Sequence, residues 1–301
     1  MSQATTVAAP AAACCAKGAP YRLVARDGHA AYEGNRRIRE VDVGGVTVGA
    51  GRPVTIAGPC AVESYEQTVA IARACLAAGA DLLRGGAYKP RTSPYDFQGL
   101  GREGLEILAA AREETGLPVV TEALDPRHVE EVAEYADCIQ IGARNMQNFP
   151  LLTEAGRSGK PVMLKRHWSG TLTEWLGAAE YIAVEGNLDI LLCERGIRSF
   201  TAGSYNRNTL DLNVIEALRK RTFLPIIVDP SHATGDDAIV PGAALAGIAA
   251  GADGLIIEVI AESTDKETPL CDGYQSIRPS VLADVIGAAH SWVRVASRGR
   301  R

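Results

Sequence analysis

Eight places along the chain set a functional side chain at the end of an apolar run. They are Cys60, Arg84, Glu122, Arg144, Lys165 with Arg166, Glu194 with Arg195, Asp229 with His232, and Glu258. Two chemistries lie in that set. Arg84, Lys89, Arg91, Arg144, Lys165, Arg166 and Arg195 could converge on a polyanion, because Arg takes phosphate or carboxylate in a bidentate fork and Lys adds a point charge. The competing use for these cations is an ordinary ion-pair network with Glu122, Glu194 and Glu258, but they outnumber those acids and leave an excess for anionic ligands. The second set is Cys60, His232, Glu258 and Asp272. Thiolate, imidazole and two carboxylates suit a divalent transition metal, although they lie far apart in sequence and form no local metal motif. Taken singly, Cys60 reads equally as a buried thiol and His232 as a hydrogen-bonded loop histidine. A third element is the segment 85–93, GGAYKPRTS. Its glycines permit close backbone approach, and Lys89, Arg91, Thr92 and Ser93 supply anion donors. It lacks the spacing of a nucleotide-binding P-loop.

The elements that must position these residues are legible as a rhythm. Short apolar, β-branched runs occur at 54–60, 82–87, 118–123, 138–143, 161–166, 189–194, 225–230 and 254–259, their starts 20 to 36 residues apart. Such runs are what a parallel sheet buried on both faces produces. Helix signals fill the gaps. Ser64 is an N-cap for a helix ending at Gly79. A helix over 104–115 stops at Gly116. Asp125-Pro126 places a cap before a first-turn proline. Further helices are expected over 171–184, from Asn208 or Thr209 through Lys220, over 241–250 and over 279–295. Eight strand–helix units of this size predict an α/β fold, a (β/α)8 TIM barrel whose active site lies at the C-terminal ends of the strands. A doubly wound open sheet is the rival architecture, and it seldom has so many evenly spaced parallel strands. Alternating valines before the first run predict a β-hairpin capping the barrel bottom. The expected division is a disordered tail over 1–20, a lead-in and hairpin over 21–53, and a catalytic barrel over 54–301. That leaves no room for a fused regulatory domain.

Composition narrows the class of function. The 301 residues are 47% apolar and 22% charged, with net charge −5, an ordinary globular balance with matter for a full core. No apolar run reaches the roughly 18 residues of a membrane span. The mild acidity offers no footprint for nucleic acid. Seven cysteines, odd in number and without zinc-finger spacing, read as reduced thiols in a cytoplasmic protein. Cys14 and Cys15 carry no function that the sequence argues.

The motifs IAGPCAVES, LRGGAYKPRTSPYDFQGLG, TEALD, QIGARNMQN, LKR, LCERGIR, RNTLDL and PIIVDPSHATG together resemble the 3-deoxy-D-arabino-heptulosonate 7-phosphate (DAHP) synthases, β subclass of type I. The resemblance runs from about Val41 to Val295. It implies an aldol-like condensation of phosphoenolpyruvate with erythrose 4-phosphate to give DAHP and phosphate, the first step toward aromatic amino acids. It further implies one divalent metal ion (manganese, iron, cobalt or zinc) on Cys60, His232, Glu258 and Asp272. Phosphoenolpyruvate would be held by Arg84, Arg144, Lys165, Arg195 and the backbone of Ala143. Lys89 would lie at the reacting centre, and Arg91, Thr92 and Ser93 would receive the aldose and its phosphate. A homo-oligomer, possibly a tetramer, is the family's habit. Related octulosonate phosphate synthases carry a K-A-N-R-[ST]-S loop where this chain reads Lys89-Pro90-Arg91-Thr92-Ser93, which favours the heptulosonate reading. A Schiff-base aldolase using Lys165 and a non-catalytic regulatory barrel are the remaining alternatives. The chain departs from the family after Lys165-Arg166, where His167-Trp168-Ser169-Gly170 replaces the usual glycine; this reads as a tolerated change in the loop. Without a fused regulator, phenylalanine and tyrosine are expected not to inhibit through such a domain.

Overall fold

The computed structural model describes residues 20–271 and 273–298. The tail expected over 1–20, with Cys14 and Cys15, therefore falls outside the described residues except for its last position. So does Asp272.

A two-stranded antiparallel hairpin, β1 (Val41–Val43) and β2 (Val46–Val48), precedes the barrel. Then follow β3 (Val54–Gly58), α1 (Tyr65–Ala78), β4 (Leu82–Arg84), α2 (Arg102–Thr115), β5 (Val119–Glu122), α3 (Val129–Tyr135), β6 (Cys138–Ile141), α4 (Phe149–Arg157), β7 (Val162–Lys165), α5 (Leu172–Ala183) and β8 (Ile190–Glu194). The chain continues through α6 (Asn213–Arg221), β9 (Ile226–Val228), α7 (Pro230–Thr234), α8 (Val240–Ala249), β10 (Gly254–Glu258) and α9 (Pro279–Arg298). Strands β3 to β10 pair in parallel and in sequence order. β10 closes on β3, with Gly254 opposite Val54 and Glu258 opposite Gly58. All eight apolar runs are thus barrel strands. No helix among the described residues is long and apolar enough to cross a membrane.

The period-two alternation of a strand sorts these runs into two cores. Ile56, Leu82, Leu191, Cys193, Ile227 and Ile256 fill the barrel interior, whereas their neighbours Ala57, Leu83, Leu192, Val228 and Ile257 meet the surrounding helices. Val41, Val43 and Val48 join the interior set, so the hairpin plugs the bottom, as the alternating valines imply. The lead-in is fastened beside it. The buried Arg26 guanidinium donates to the carbonyls of Tyr32, Asn35, Arg219 and Thr222, and Tyr32 stacks on Phe223 at 4.2 Å.

The helix boundaries follow the capping signals. The Ser64 hydroxyl accepts from Gln67 N, and Gly79 closes α1 at φ +94°. Thr171 and Glu174 form a capping box on α5, satisfying two otherwise orphaned N–H groups. One boundary differs. The helix expected from Asn208 or Thr209 begins only at Asn213. Thr209 exchanges backbone hydrogen bonds with Ile197, and Asn208 N donates to Ala233 O. Tertiary pairing across the rim outweighs the local helical signal there and brings Arg207 and Asn208 to the mouth of the barrel.

Candidate active site

The C-terminal strand ends surround a cavity of about 850 Å³. Among the described residues, its lining carries eight cations (Arg84, Lys89, Arg91, Arg144, Lys165, Arg195, Arg198 and Arg207) against two carboxylates, Asp96 and Glu122. That imbalance in a protein of net negative charge marks an anion site.

The cations fall into two groups. Some are held by acids. Arg84 Nη1 donates to Glu258 Oε1 at 2.5 Å, Lys165 Nζ to Asp229 Oδ2 at 2.6 Å, and Arg91 lies 3.4 Å from Asp96 Oδ2. Others are not. Among the described residues, Arg144, Arg195 and Arg198 have no carboxylate within ion-pair distance. Arg195 is only 8% exposed, and burial pulls its guanidinium below the ordinary value, with Asp229 opposing. A buried guanidinium without a salt-bridge partner is unfavourable until an anion arrives. Arg166, counted in the sequence among the mouth cations, is elsewhere. It pairs with Glu194 and Asp211 at 3.0 and 2.9 Å and lies over Trp175, apart from the lining. The ion-pair reading of these cations therefore holds for Arg84 and Arg166, while Glu122 has no cation partner among the described residues and accepts from Gln140 Nε2 at 2.9 Å. Gly142 makes room for that carboxylate: a Cβ there would meet Glu122 Oε1 at 2.0 Å. Ala143 opens the turn that follows.

At the floor of the mouth, Lys89 folds back over Cys60. Its Nζ lies 3.0 Å from Cys60 O and 3.2 Å from Cys60 Sγ. Gly86 allows this, since a Cβ would sit 2.6 Å from Lys89 Cδ. Burial lowers the affinity of Lys89 for its proton, but the neighbouring thiols of Cys60 and Cys271 and the Glu258 carboxylate outweigh it. Lys89 is accordingly held as a cation in this site. Cys60 Sγ also lies 2.9 Å from Cys271 Sγ, and Arg91 Nη1 donates to Cys271 Sγ at 2.9 Å. The Cys271 thiol as partner, followed by burial, pushes Cys60 well up.

Two of the expected metal donors, His232 and Glu258, are neighbours. His232 Nε2 is 3.4 Å from Glu258 Oε1, and Arg84 bonds both Glu258 and the Cys60 carbonyl. Asp229 shapes this corner. Its Oδ1 caps the short helix α7 by accepting from His232 N, and its Oδ2 lies 2.8 Å from His232 Nδ1. The Nε2 of the same ring faces Glu258. Burial pulls His232 below its usual value, favouring the neutral imidazole a metal requires. Residue types and pairwise proximity thus fit a divalent metal. Among the described residues, no three such side chains are gathered closely enough to hold an ion as they stand, and the fourth expected ligand, Asp272, lies outside them.

Of the other sequence candidates, Thr92 lines the cavity with Arg91. Ser93 does not; its hydroxyl accepts from Tyr95 N within its own loop. Arg198, Arg207 and Asn208 line the cavity without having been singled out. They sit inside LCERGIR and RNTLDL, so the motif positions were visible, but their direction was not. Asp229 was visible only as a strand end.

The sequence profile of the DAHP synthetase I family matches residues 30–291. A phospho-2-dehydro-3-deoxyheptonate aldolase of Thermotoga maritima is 50% identical over 267 residues, covering 89% of this chain and 76% of the relative. A 2-dehydro-3-deoxyphosphooctonate aldolase of Syntrophotalea carbinolica is 36% identical over 254 residues, covering 78% of this chain and 89% of the relative. Among solved structures, the DAHP synthase of Thermotoga maritima superposes with TM-score 0.83 at 46% identity, covering 93% of this chain and 78% of that one. A truncated form of the Thermotoga maritima enzyme gives TM-score 0.80 at 42% identity, covering 93% and 97%.

Proposed function

The chain belongs to the DAHP synthetase I family and is a DAHP synthase, and we propose that its barrel mouth works as follows. Phosphoenolpyruvate lies with its phosphate against Arg144, Lys165, Arg195 and the Ala143 backbone, and its carboxylate toward Arg84. Erythrose 4-phosphate enters over Arg91 and Thr92, which line the cavity. The observation that carries this reading is the set of cavity arginines, Arg144 and Arg195 above all, with no carboxylate partner among the described residues, beside a Lys165 already fixed by Asp229.

Fixing two highly charged anions face to face is most of the task, because the enol carbon is a weak nucleophile. The cations cancel the repulsion between the substrates and stabilise charge that develops on the phosphate side. C3 of phosphoenolpyruvate forms a bond to the aldehyde carbon, and the aldehyde oxygen gains a proton. Lys89, held protonated, is placed to supply it. Water then adds at C2, and the C2–O bond to phosphate breaks, releasing inorganic phosphate. Of the described carboxylates lining the cavity, Asp96 pairs with Arg91, and Glu122 is assigned to take the proton from that water.

Cys60, His232 and Glu258, with Asp272, are the residues that would hold one divalent ion of manganese, iron, cobalt or zinc. Such an ion supplies Lewis-acid polarisation of the aldehyde. Lys165 Nζ is engaged by Asp229 at 2.6 Å, which argues against its use as a Schiff-base amine. The five described cysteines are free thiols, consistent with a reducing, cytoplasmic setting, and we extend the reading to a homo-oligomer. The test is phosphate release from phosphoenolpyruvate. It should require erythrose 4-phosphate, stop with chelator and return with divalent metal. Turnover with arabinose 5-phosphate in preference to erythrose 4-phosphate, or turnover indifferent to chelator, would overturn the reading.

A further inference from the structure

The loop after β7 carries Trp168. Its indole lines the cavity. Two guanidinium groups flank it, with Arg144 Cζ and Arg198 Cζ each 5.8 Å from the ring centroid. The Trp168 carbonyl accepts from Arg198 N at 2.8 Å, tying the loop after β7 to the loop after β8. His167 packs on the indole at 4.2 Å between ring centroids, and the Ser169 N–H donates to His167 Nδ1 at 3.1 Å. The ring is therefore held from three sides.

The choice of an aromatic partner has a chemical consequence. A carboxylate would neutralise these arginines by occupying their N–H donors, and would compete with a substrate phosphate for them. An indole attracts a guanidinium through its π face instead, leaving the N–H fork for an anion. It also eases the repulsion between two like charges in one mouth. Neither arginine has a carboxylate within ion-pair distance among the described residues, so the indole is what holds them.

We propose that Trp168 is a positioning residue for the phosphate end of phosphoenolpyruvate, keeping Arg144 and Arg198 in place while leaving their donors available. This rests on the functional reading above. The experiment compares metal-loaded wild type with Trp168→Phe and Trp168→Leu. Steady-state constants are measured for both substrates, together with the calorimetric Kd of phosphoenolpyruvate without the aldose. Trp168→Leu should raise both the KM and the Kd of phosphoenolpyruvate about tenfold, the order expected from losing two cation–π contacts. The KM of erythrose 4-phosphate and kcat should stay within about threefold. Trp168→Phe, which keeps a π face, should recover most of the loss. Wild-type phosphoenolpyruvate affinity in Trp168→Leu would overturn the inference. So would a Phe variant as weak as the Leu variant, since that assigns the effect to shape. An equal rise in both KM values would assign it to loop packing and overturn it likewise. If the wild type binds phosphoenolpyruvate but does not turn it over with erythrose 4-phosphate, the functional reading fails on its own. The Kd series of the two variants still decides the role of Trp168.

Discussion

Replacing Arg195 by methionine should make the ligand-free protein more stable and at the same time remove its response to phosphoenolpyruvate. Arg195 is 8% exposed and, among the described residues, has no carboxylate of its own. The nearest compensation is Asp229, already committed to Lys165 at 2.6 Å and to His232 at 2.8 Å, and Arg207 adds a like charge. Exchanging a poorly compensated buried charge for an apolar side chain of similar length is neutral or stabilising by about 1–4 kcal/mol; with one shared carboxylate as the offset, about 2 kcal/mol is expected. The wild type recovers this on binding. Phosphoenolpyruvate at one hundred times its Kd adds about 2.7 kcal/mol, whereas the variant gains little. Urea unfolding of metal-free protein, with and without phosphoenolpyruvate, reads both terms through linear extrapolation. A ligand-free variant less stable than wild type by about 1 kcal/mol or more would refute the argument. So would equal stabilisation of the two proteins by phosphoenolpyruvate. Either result would mean that the guanidinium is satisfied before the substrate arrives.

Lys89→Met should cut turnover by at least about 10²-fold while the protein still binds metal, checked by phosphate release and metal titration; wild-type turnover would remove Lys89 from the reacting centre. Asp229→Asn leaves Lys165 buried without its counter-charge and should cost about 3–5 kcal/mol in metal-free protein near neutral pH. Burial raises the Asp229 carboxyl, but His232 and Lys165 hold it well below the ordinary range, so its contribution is fully present above the unfolded value of about 3.9. It is lost as pH falls through the depressed folded value. The wild-type advantage in urea should therefore persist from pH 7 to about pH 4 and shrink only below that; a difference already gone at pH 6 would show that the pair is not what stabilises this corner. Val43→Ala, in the hairpin plug, should cost about 2 kcal/mol through the cavity it opens and leave kcat and KM unchanged, separating the bottom of the barrel from its chemistry.

The barrel, its direction and the side chains at its rim follow from local patterning. Residues buried on both faces of a parallel strand must be apolar whatever they touch, so Ile56, Leu191 and Ile256 announce strands without reference to their partners. Caps such as Ser64 and Thr171, and the stop at Gly79, act within one helical turn and are equally local. The same locality explains why the ends of the strands, from Cys60 to Glu258, could be named as the site.

How each charge is used depends instead on contacts made across the barrel. Arg166 and Arg195 follow adjacent strands and look alike in sequence, yet Arg166 is taken by Glu194 and Asp211, while Arg195 has no such partner among the described residues. Lys165 and Asp229 are 64 positions apart and Arg84 and Glu258 are 174 apart. Those pairings exist only because the barrel closes, so no periodicity records them. Nor could the sequence show Trp168 between Arg144 and Arg198, or Cys60 against Cys271. Local patterning specifies which face of an element is buried. Whether a buried cation meets a carboxylate, an indole or nothing depends on distant loops meeting over one rim, and that meeting separates the structural charges from those left for substrate.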